Sequence, residues 1–403
     1  DPVHRTWGNE DCPCLHADPQ FPDCPPGETK RLRGHFSFFE GTNVFREMLR
    51  IDRTEWRLRE TEKNARTQVR GIVIDSQTGQ PLAARVHLQS ENGAWRLVES
   101  VGGEAVHYDR DLKHLPNSPE VHSTLSADPF AVRLAPGNYT IRVERGKEYL
   151  PIVEKFTVAD KPLELEFPLR RWINMSQRGW YSGDTHVHRT IKDLPNVMLA
   201  EDLNVALPLT YWVTVSDLPP LDANGEANLA ANGLIEVDAT HVIYPLNTEY
   251  EISNVGPRRH TLGAVFVLNH KSPIPIGAPP VGPVASFARE QGALLDLDKH
   301  SWPWSLMLVP TMGIDLFELS NNNVWQTPFG FKDWTLNDQP SFMSLDQDEE
   351  GFTEWGWIDY VFQTYYCLVN CRFRRRVTAG TASVVNPVQI GSGRVYLHLQ
   401  DGF

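Results

Sequence analysis

The stretch Gly179-Trp-Tyr-Ser-Gly-Asp-Thr-His-Val-His-Arg189 separates two kinds of sequence pattern and contains two histidines one residue apart. In a β-strand, residues i and i+2 point to the same face, so a strand here places the imidazoles of His186 and His188 side by side. Two imidazoles on one face can reach a single cation. Asp184 shares that face, where a carboxylate can orient a ligand histidine. The stretch therefore predicts a strand at which a metal site begins.

Upstream of this stretch, residues 67–172 consist of short alternating segments between turn signals. Apolar and polar residues alternate at 69–75, 84–89 and 139–144. Such strands predict a small antiparallel β-sandwich. The segments Gly71-Ile-Val-Ile-Asp-Ser-Gln-Thr-Gly-Gln-Pro-Leu82 and Leu134-Ala-Pro-Gly-Asn-Tyr-Thr-Ile141 resemble the carboxypeptidase regulatory-like (transthyretin-like) domain family. The resemblance implies an accessory module with no chemistry of its own.

Downstream, residues 178–403 mix apolar runs with helix-like segments. Runs such as Leu262-Gly-Ala-Val-Phe-Val-Leu268 and Ile314-Asp-Leu-Phe-Glu-Leu319 indicate buried strands, while residues 283–291 and 355–371 have the pattern of helices. This alternation predicts an α/β domain with parallel strands. Together with the preceding segment, it makes the chain a predicted multidomain α/β protein.

Residues 1–66 are predicted to form an irregular N-terminal extension containing prolines and cysteines. Cys12, Cys14 and Cys24 are compatible with a disulfide, with a metal site that includes His16, or with free thiols. The chain begins with Asp1 instead of Met, which favours a processed protein that is periplasmic or secreted.

Bulk composition narrows the class of protein. A chain of 403 residues is longer than a domain with a single hydrophobic core usually is. A hydrophobic content of 41% with 22% charged residues is typical of globular proteins. The net charge of -13 disfavours a nucleic-acid partner, because phosphate binding requires a basic face. No run of apolar residues is long enough to predict a transmembrane segment.

The segment Gly183-Asp-Thr-His-Val-His188 resembles the first motif of the PHP (polymerase and histidinol phosphatase) family. Residues 178–390 as a whole look like its CehA/McbA-like, carbaryl-hydrolase branch. The resemblance implies a distorted (β/α)7-type barrel with metal ligands at the C-terminal ends of its strands. The positions that match the family's ligands are His186, His188, Glu251 with Glu249 as its alternate, His260 and His300.

The chain also departs from the family pattern. Asp217 is followed by Leu218 where the family often has Asp-His, and Ala379-Gly-Thr-Ala-Ser-Val-Val385 lacks the usual Ser-Asp-x-His. We therefore expect one or two divalent transition metal ions (Zn, Mn or Fe), not three. Asp217 is a candidate ligand or base, and His270 is a candidate proton donor.

The expected function is metal-dependent hydrolysis of a small-molecule substrate. In this interpretation a metal-bound hydroxide attacks an ester, amide, carbamate or phosphoester. The alternative is a catalytically degenerate PHP domain that serves as a binding or structural subunit of an exported assembly. A homo-oligomer or a larger complex is compatible with both interpretations.

Overall fold

The computed structural model of the chain describes residues 4–9, 12–19, 25–29, 51, 66–109, 121–213, 215–230, 233–252, 254–255, 258–259, 262–302, 304–320, 340–349, 351–383 and 388–403. The chain divides into two compact units, Asp1–Arg66 and Thr67–Phe403. The division expected at residues 172–178 lies inside the second unit.

The first unit contains a single described β-hairpin. Its strands, β1 (His4–Asn9) and β2 (Cys12–Pro19), pair antiparallel. Cys24 and almost all of the charged stretch after residue 30 lie outside the described residues. The alternatives for the three N-terminal cysteines therefore remain predictions.

The second unit opens with strands that form two sheets. These are β3 (Thr67–Asp75), β4 (Ala84–Ser90), β5 (Trp95–Arg96), β6 (Glu99–Ser100), β7 (Ala105–Asp109), β8 (Val121–Leu125), β9 (Phe130–Leu134), β10 (Gly137–Glu144), β11 (Tyr149–Leu150), β12 (Ile152–Val158) and β13 (Leu163–Arg171). One sheet has the order β12-β10-β4-β8-β7, with β5 paired to β4, and the other has the order β11-β13-β3-β9-β6.

Alternation explains how these two sheets enclose a core. In β3 the residues at odd positions are buried and face the other sheet, as Val69 and Val73 do. The same core takes Leu88 from β4 and Phe167 from β13. One feature departs from the sequence prediction: β13 pairs with β3 in parallel, so the expected wholly antiparallel sandwich is wrong.

The remaining strands belong to residues 178–403. They are β14 (Trp180–Val187), β15 (Val205–Pro208), β16 (Tyr211–Val213), β17 (Leu221–Asp222), β18 (Ile235–Asp238), β19 (His241–Ile243), β20 (Asn247–Glu251), β21 (Asn254–Val255), β22 (Arg258–Arg259), β23 (Ala264–Leu268), β24 (Leu294–Asp298), β25 (Leu316–Ser320), β26 (Gln347–Asp348), β27 (Gly351–Phe352), β28 (Arg376–Ala379) and β29 (Val395–His398). The two larger sheets have the orders β18-β19-β15-β14-β29 and β17-β16-β20-β23-β24-β25-β28.

The described helices are few and mostly short. They are α1 (Leu194–Ala200), α2 (Ala227–Ala230), α3 (Val281–Glu290) and α4 (Glu354–Asn370), with single turns at Ser176–Arg178, Ser305–Met307 and Val309–Gly313. Helix α4 begins where the Thr353 hydroxyl accepts a hydrogen bond from the Gly356 N–H, a cap that contributes about 1 kcal/mol. No described helix is long and apolar enough to cross a membrane.

The expected (β/α)7-type barrel is wrong. In the part of the chain that the structure describes, strand residues far outnumber helix residues. Strand β23 pairs antiparallel with both β20 and β24. A (β/α)7 barrel needs parallel strands, each followed by a helix. Most of the described strands after residue 178 instead belong to two mixed sheets.

The two faces of the seven-stranded sheet have opposite character. One face packs against α3 and α4 in the largest apolar core and contributes Val265, Leu297 and Phe317. The other face carries buried acidic residues and lies toward β14. A parallel bridge between Val187 and Ser383 holds the end of β14 beside the segment that follows β28. The histidine strand therefore lies against the acidic face.

Candidate metal centre

Strand β14 presents the two histidines of the sequence motif on one face. Val187, between them, packs into an apolar core on the other side. The Nε2 atoms of His186 and His188 lie 3.3 Å apart, and both side chains are buried. Burial lowers the pKa of His186, and it lowers the pKa of His188 to about 3. Both rings are therefore neutral at pH 7, which is the form that binds metal ions.

Facing these imidazoles are four carboxylates of the seven-stranded sheet. Glu249 belongs to β20, Asp296 and Asp298 to β24, and Glu318 to β25, and all four are completely buried. The register explains their proximity. Glu249 pairs with Phe266, which in turn pairs with Asp296, so both carboxylates lie in one row across three strands. Burying so many acids is costly unless cations or donors compensate them.

His186, His188 and Glu249 form the first potential ligand set. The His188 Nε2 atom lies 3.4 Å from Glu249 Oε2, and Oε2 has no hydrogen-bond partner among the described residues. In a tetrahedral site with bonds of about 2.0–2.1 Å, ligand atoms lie about 3.3–3.4 Å apart. The observed separations match this edge, and the donor set suits Zn²⁺, Mn²⁺ or Fe²⁺.

A second set consists of His186, Asp298 and Glu318. The Nδ1 atom of His186 lies 3.3 Å from Glu318 Oε1 and 3.8 Å from Asp298 Oδ2. A histidine that binds a metal through one nitrogen commonly donates its other N–H to a carboxylate. The geometry fits this arrangement, with Nε2 toward His188 and Nδ1–H toward Glu318. Asp298 and Glu318 are thus well placed to orient His186.

The sequence suggested that Asp184 orients a ligand imidazole, but the structure shows different contacts for its carboxylate. Its carboxylate accepts hydrogen bonds from the backbone N–H groups of His186 and Gly391 and from the hydroxyl of Thr381. It contacts the His186 backbone, not the imidazole. Burial raises the Asp184 pKa to about 6 despite these donors. Asp184 therefore fixes the strand end against the loop that contains Thr381.

Lys299 completes the cluster, and the sequence analysis missed it. Its Nζ lies 2.7 Å from Glu249 Oε1, 3.2 Å from Asp298 Oδ2 and 3.8 Å from Glu251 Oε1. Lys299 adopts a left-handed backbone with φ 46°, which non-glycine residues rarely adopt. This bend interrupts the strand alternation and turns the ammonium toward the carboxylates. The signal in the sequence was a lysine directly after Asp298, at the end of a strand that also contains Asp296.

The carboxylate pKa values follow from these contacts. Burial favours the neutral form of Glu249 and Asp298, but Lys299, the neighbouring histidines and hydrogen bonds together outweigh it, and both pKa values are lowered. Burial and the neighbouring Asp298 raise the pKa of Glu318 well above its usual value. Burial also raises the pKa of Asp296 to about 7, although the Thr378 hydroxyl donates to it at 2.7 Å.

Glu251 and Glu249 share one face of β20 but differ in position. Glu249, the alternate in the sequence analysis, is the glutamate that joins the histidine pair. Glu251 is only partly buried and faces Lys299. Burial raises its pKa. Its contact with Lys299 places it at the edge of the cluster, not among the described ligand atoms.

His300 and His270 contact residues other than the histidine pair. The ring of His300 stacks on Phe317, with centroids 4.5 Å apart, on the apolar side of the sheet. His270 contacts Thr248 Oγ1 and the Ser272 carbonyl, each at 2.8 Å. Burial lowers both histidine pKa values to about 4. Neither belongs to a potential ligand group within the described part of the chain.

Two further predicted residues are not brought into the cluster. Asp217 is exposed, has φ 70°, and its N–H donates to the carbonyl of Ala278. No contact between its carboxylate and the cluster occurs among the described residues. His260 lies outside the described residues, so its predicted role as a ligand remains a prediction.

Comparisons with known proteins add little. No family model matches the chain, and no curated protein does. Among solved structures, similar segments occur in the pilus 2b backbone protein of group B streptococcus (12% identity, 26% of this chain, 41% of that chain, TM-score 0.20) and in a DUF3823 family protein from Bacteroides uniformis (12%, 29%, 46%, 0.15). The chain spans less than half the length of either protein.

Proposed function

We propose that the chain is a metal-dependent hydrolase with an ion held by His186, His188 and Glu249. The chief support is the position of His188 Nε2, which lies 3.3 Å from His186 Nε2 and 3.4 Å from Glu249 Oε2, two separations that match the edges of a tetrahedral site. The buried Glu249 Oε2 adds to this, because a buried carboxylate oxygen without a partner costs free energy unless a cation compensates it.

An ion with these ligands supplies Lewis acidity and lowers the pKa of water, to about 7 in favourable zinc sites. The chain itself contributes orientation and proton transfer. With an ion on Nε2 of His186, its Nδ1–H would donate to Glu318, 3.3 Å away, and the contact fixes the ring. Asp296, with a pKa of about 7, is suited to hold or release a proton near neutral pH.

The proposed substrates are small-molecule esters, amides, carbamates or phosphoesters. The Trp212 ring lies 4.9 Å from the His188 ring, centroid to centroid, and is partly exposed. An aromatic surface beside the site favours substrates with an apolar or aromatic group. A periplasmic or secreted location, and assembly into a homo-oligomer or larger complex, are further parts of the proposal that rest on the sequence alone.

One observation favours a second candidate function, a binding or structural module without turnover. The Lys299 ammonium already neutralises part of the acidic cluster. A cluster compensated in this way is stable with fewer ions. In that case metal would stabilise the fold without creating a hydrolytic site.

Metal analysis combined with hydrolysis assays tests the proposal. The wild-type protein and His398→Ala, an exposed histidine control, are expected to carry about one Zn²⁺ or Mn²⁺ per chain. His186→Ala and His188→Ala should lose the ion and the hydrolysis of p-nitrophenyl acetate, p-nitrophenyl phosphate and naphthyl methylcarbamate. Equal hydrolysis by a chelated, ion-free sample would contradict the proposal. A bound ion that raises the melting temperature without any hydrolysis would support the structural candidate.

A further inference from the structure

A basic side chain lies among the candidate metal ligands, where a dinuclear centre would place a cation. The Lys299 side chain is 14% exposed, and its ammonium contacts carboxylate oxygens of Glu249, Asp298 and Glu251. Three carboxylates converging on one point form the oxygen-rich surroundings that divalent cations also take. In this protein the Lys299 ammonium occupies that position.

Glu249 connects this ammonium with the histidine pair. Its Oε1 atom lies 2.7 Å from Lys299 Nζ, while its Oε2 atom lies 3.4 Å from His188 Nε2. A carboxylate that offers one oxygen to each of two cations is the bridge expected in two-metal hydrolytic sites, where the ions lie about 3.5–4 Å apart. Glu249 has this bridging arrangement, with an ammonium on one side.

We infer that the Lys299 ammonium occupies the second cation position of a two-cation centre, so that the protein binds one divalent ion and gains a second when Lys299 is replaced by an uncharged residue. The inference rests on the proposed metal centre at His186, His188 and Glu249. It assigns Lys299 as the residue that sets the number of ions.

The other potential ligand set does not supply an alternative second position. It shares His186 with the first set, one through Nε2 and the other through Nδ1. A neutral imidazole has one nitrogen with a free lone pair, and the other carries a proton. His186 can therefore bind an ion through one edge only. The position beside Glu249 Oε1 remains for a second cation, and Lys299 fills it.

The test compares Lys299→Met, which keeps the length of the side chain but removes the charge, with Lys299→Arg, which keeps the charge. Lys192→Met removes a lysine at an exposed position and serves as the matched control. Each full-length protein is loaded with Mn²⁺ and desalted. The ion content is then measured by elemental analysis and native mass spectrometry. Electron paramagnetic resonance distinguishes an isolated Mn²⁺ ion from an exchange-coupled pair.

We expect about one ion and an uncoupled spectrum for the wild type, Lys299→Arg and Lys192→Met. Lys299→Met should bind about two ions and give a coupled spectrum. One ion in Lys299→Met would overturn the inference and leave the proposed metal centre intact, as would two ions in the wild type. No ion in any of the proteins would overturn the proposed function as well.

The loss of the ammonium leaves carboxylates uncompensated, so Lys299→Met is also combined with Glu251→Gln. The double variant removes one charge of each sign and keeps Glu249 and Asp298 available. It should also bind a second Mn²⁺ with a coupled spectrum, at a higher concentration of added Mn²⁺. If this variant folds and saturates with one ion, the inference is wrong.

Discussion

Glu318→Gln tests whether the carboxylate behind His186 controls metal binding. Removing a carboxylate that orients a ligand histidine typically lowers metal affinity by about 10- to 100-fold, which is about 1.4–2.7 kcal/mol. Two features indicate that the loss of affinity in this variant lies near the lower end of that range. The glutamine oxygen can still accept a hydrogen bond from His186, and Asp298 lies 3.8 Å from the same nitrogen as a second acceptor. We therefore expect a loss of about tenfold in affinity.

The same variant should act in the opposite direction on the ion-free protein. Glu318 and Asp298 are buried neighbours, and a glutamine amide can donate to Asp298 without holding a proton that depends on pH. The melting temperature of the ion-free variant is expected to equal or exceed that of the wild type. Competition against a zinc chelator measures the affinity, with the exposed substitution Glu236→Gln as the control. An affinity equal to that of the control would refute the role assigned to Glu318.

Two further predictions concern Asp296 and His270. Because burial raises the Asp296 pKa from 3.8 to about 7, this carboxyl contributes stability to the ion-free protein below about pH 4 that is lost as the pH rises through 7, whereas the buried histidines contribute with the opposite sign. The melting temperature of Asp296→Asn should therefore rise relative to that of the wild type as the pH goes from 4 to 7, and a difference that does not change with pH would count against the assignment. His270→Phe leaves Thr248 and the Ser272 carbonyl without their contacts, so denaturation should show a loss of about 1–3 kcal/mol while the metal content stays the same; loss of the ion would instead place His270 in the centre.

The strands of residues 67–171 could be read from the sequence because each has one buried face. Alternation at 69–75, 84–89 and 139–144 falls within strands β3, β4 and β10. The pairing of these strands could not be read in the same way. Alternation fixes which face is buried but not the neighbour or its direction, and β13 lies parallel to β3.

The wrong prediction of a (β/α)7-type barrel for residues 178–403 has a similar cause. Apolar runs with helices between them predicted parallel strands, and helix α3 does connect β23 to β24. The helix nevertheless returns the chain so that the two strands pair antiparallel. A local pattern gives the type of an element, whereas the direction of a crossover depends on how distant segments pack.

The two-residue period of a β-strand was not sufficient to predict which side chains form the candidate centre. Glu249 and Glu251 share a face, so alternation alone could not choose between them, and only the packing of β14 against the sheet does so. Regular alternation past Asp298 would point His300 into the cluster. The left-handed backbone at Lys299 reverses this outcome, because it turns the lysine inward and leaves His300 stacked on Phe317.

The most direct test of the central claim is a crystal structure of the Zn²⁺-loaded protein with data collected across the zinc absorption edge. We predict one anomalous peak, about 2.0–2.2 Å from His186 Nε2, His188 Nε2 and Glu249 Oε2, with Lys299 still in contact with Glu249. A peak bound by other side chains, or no peak near this histidine pair, would contradict it.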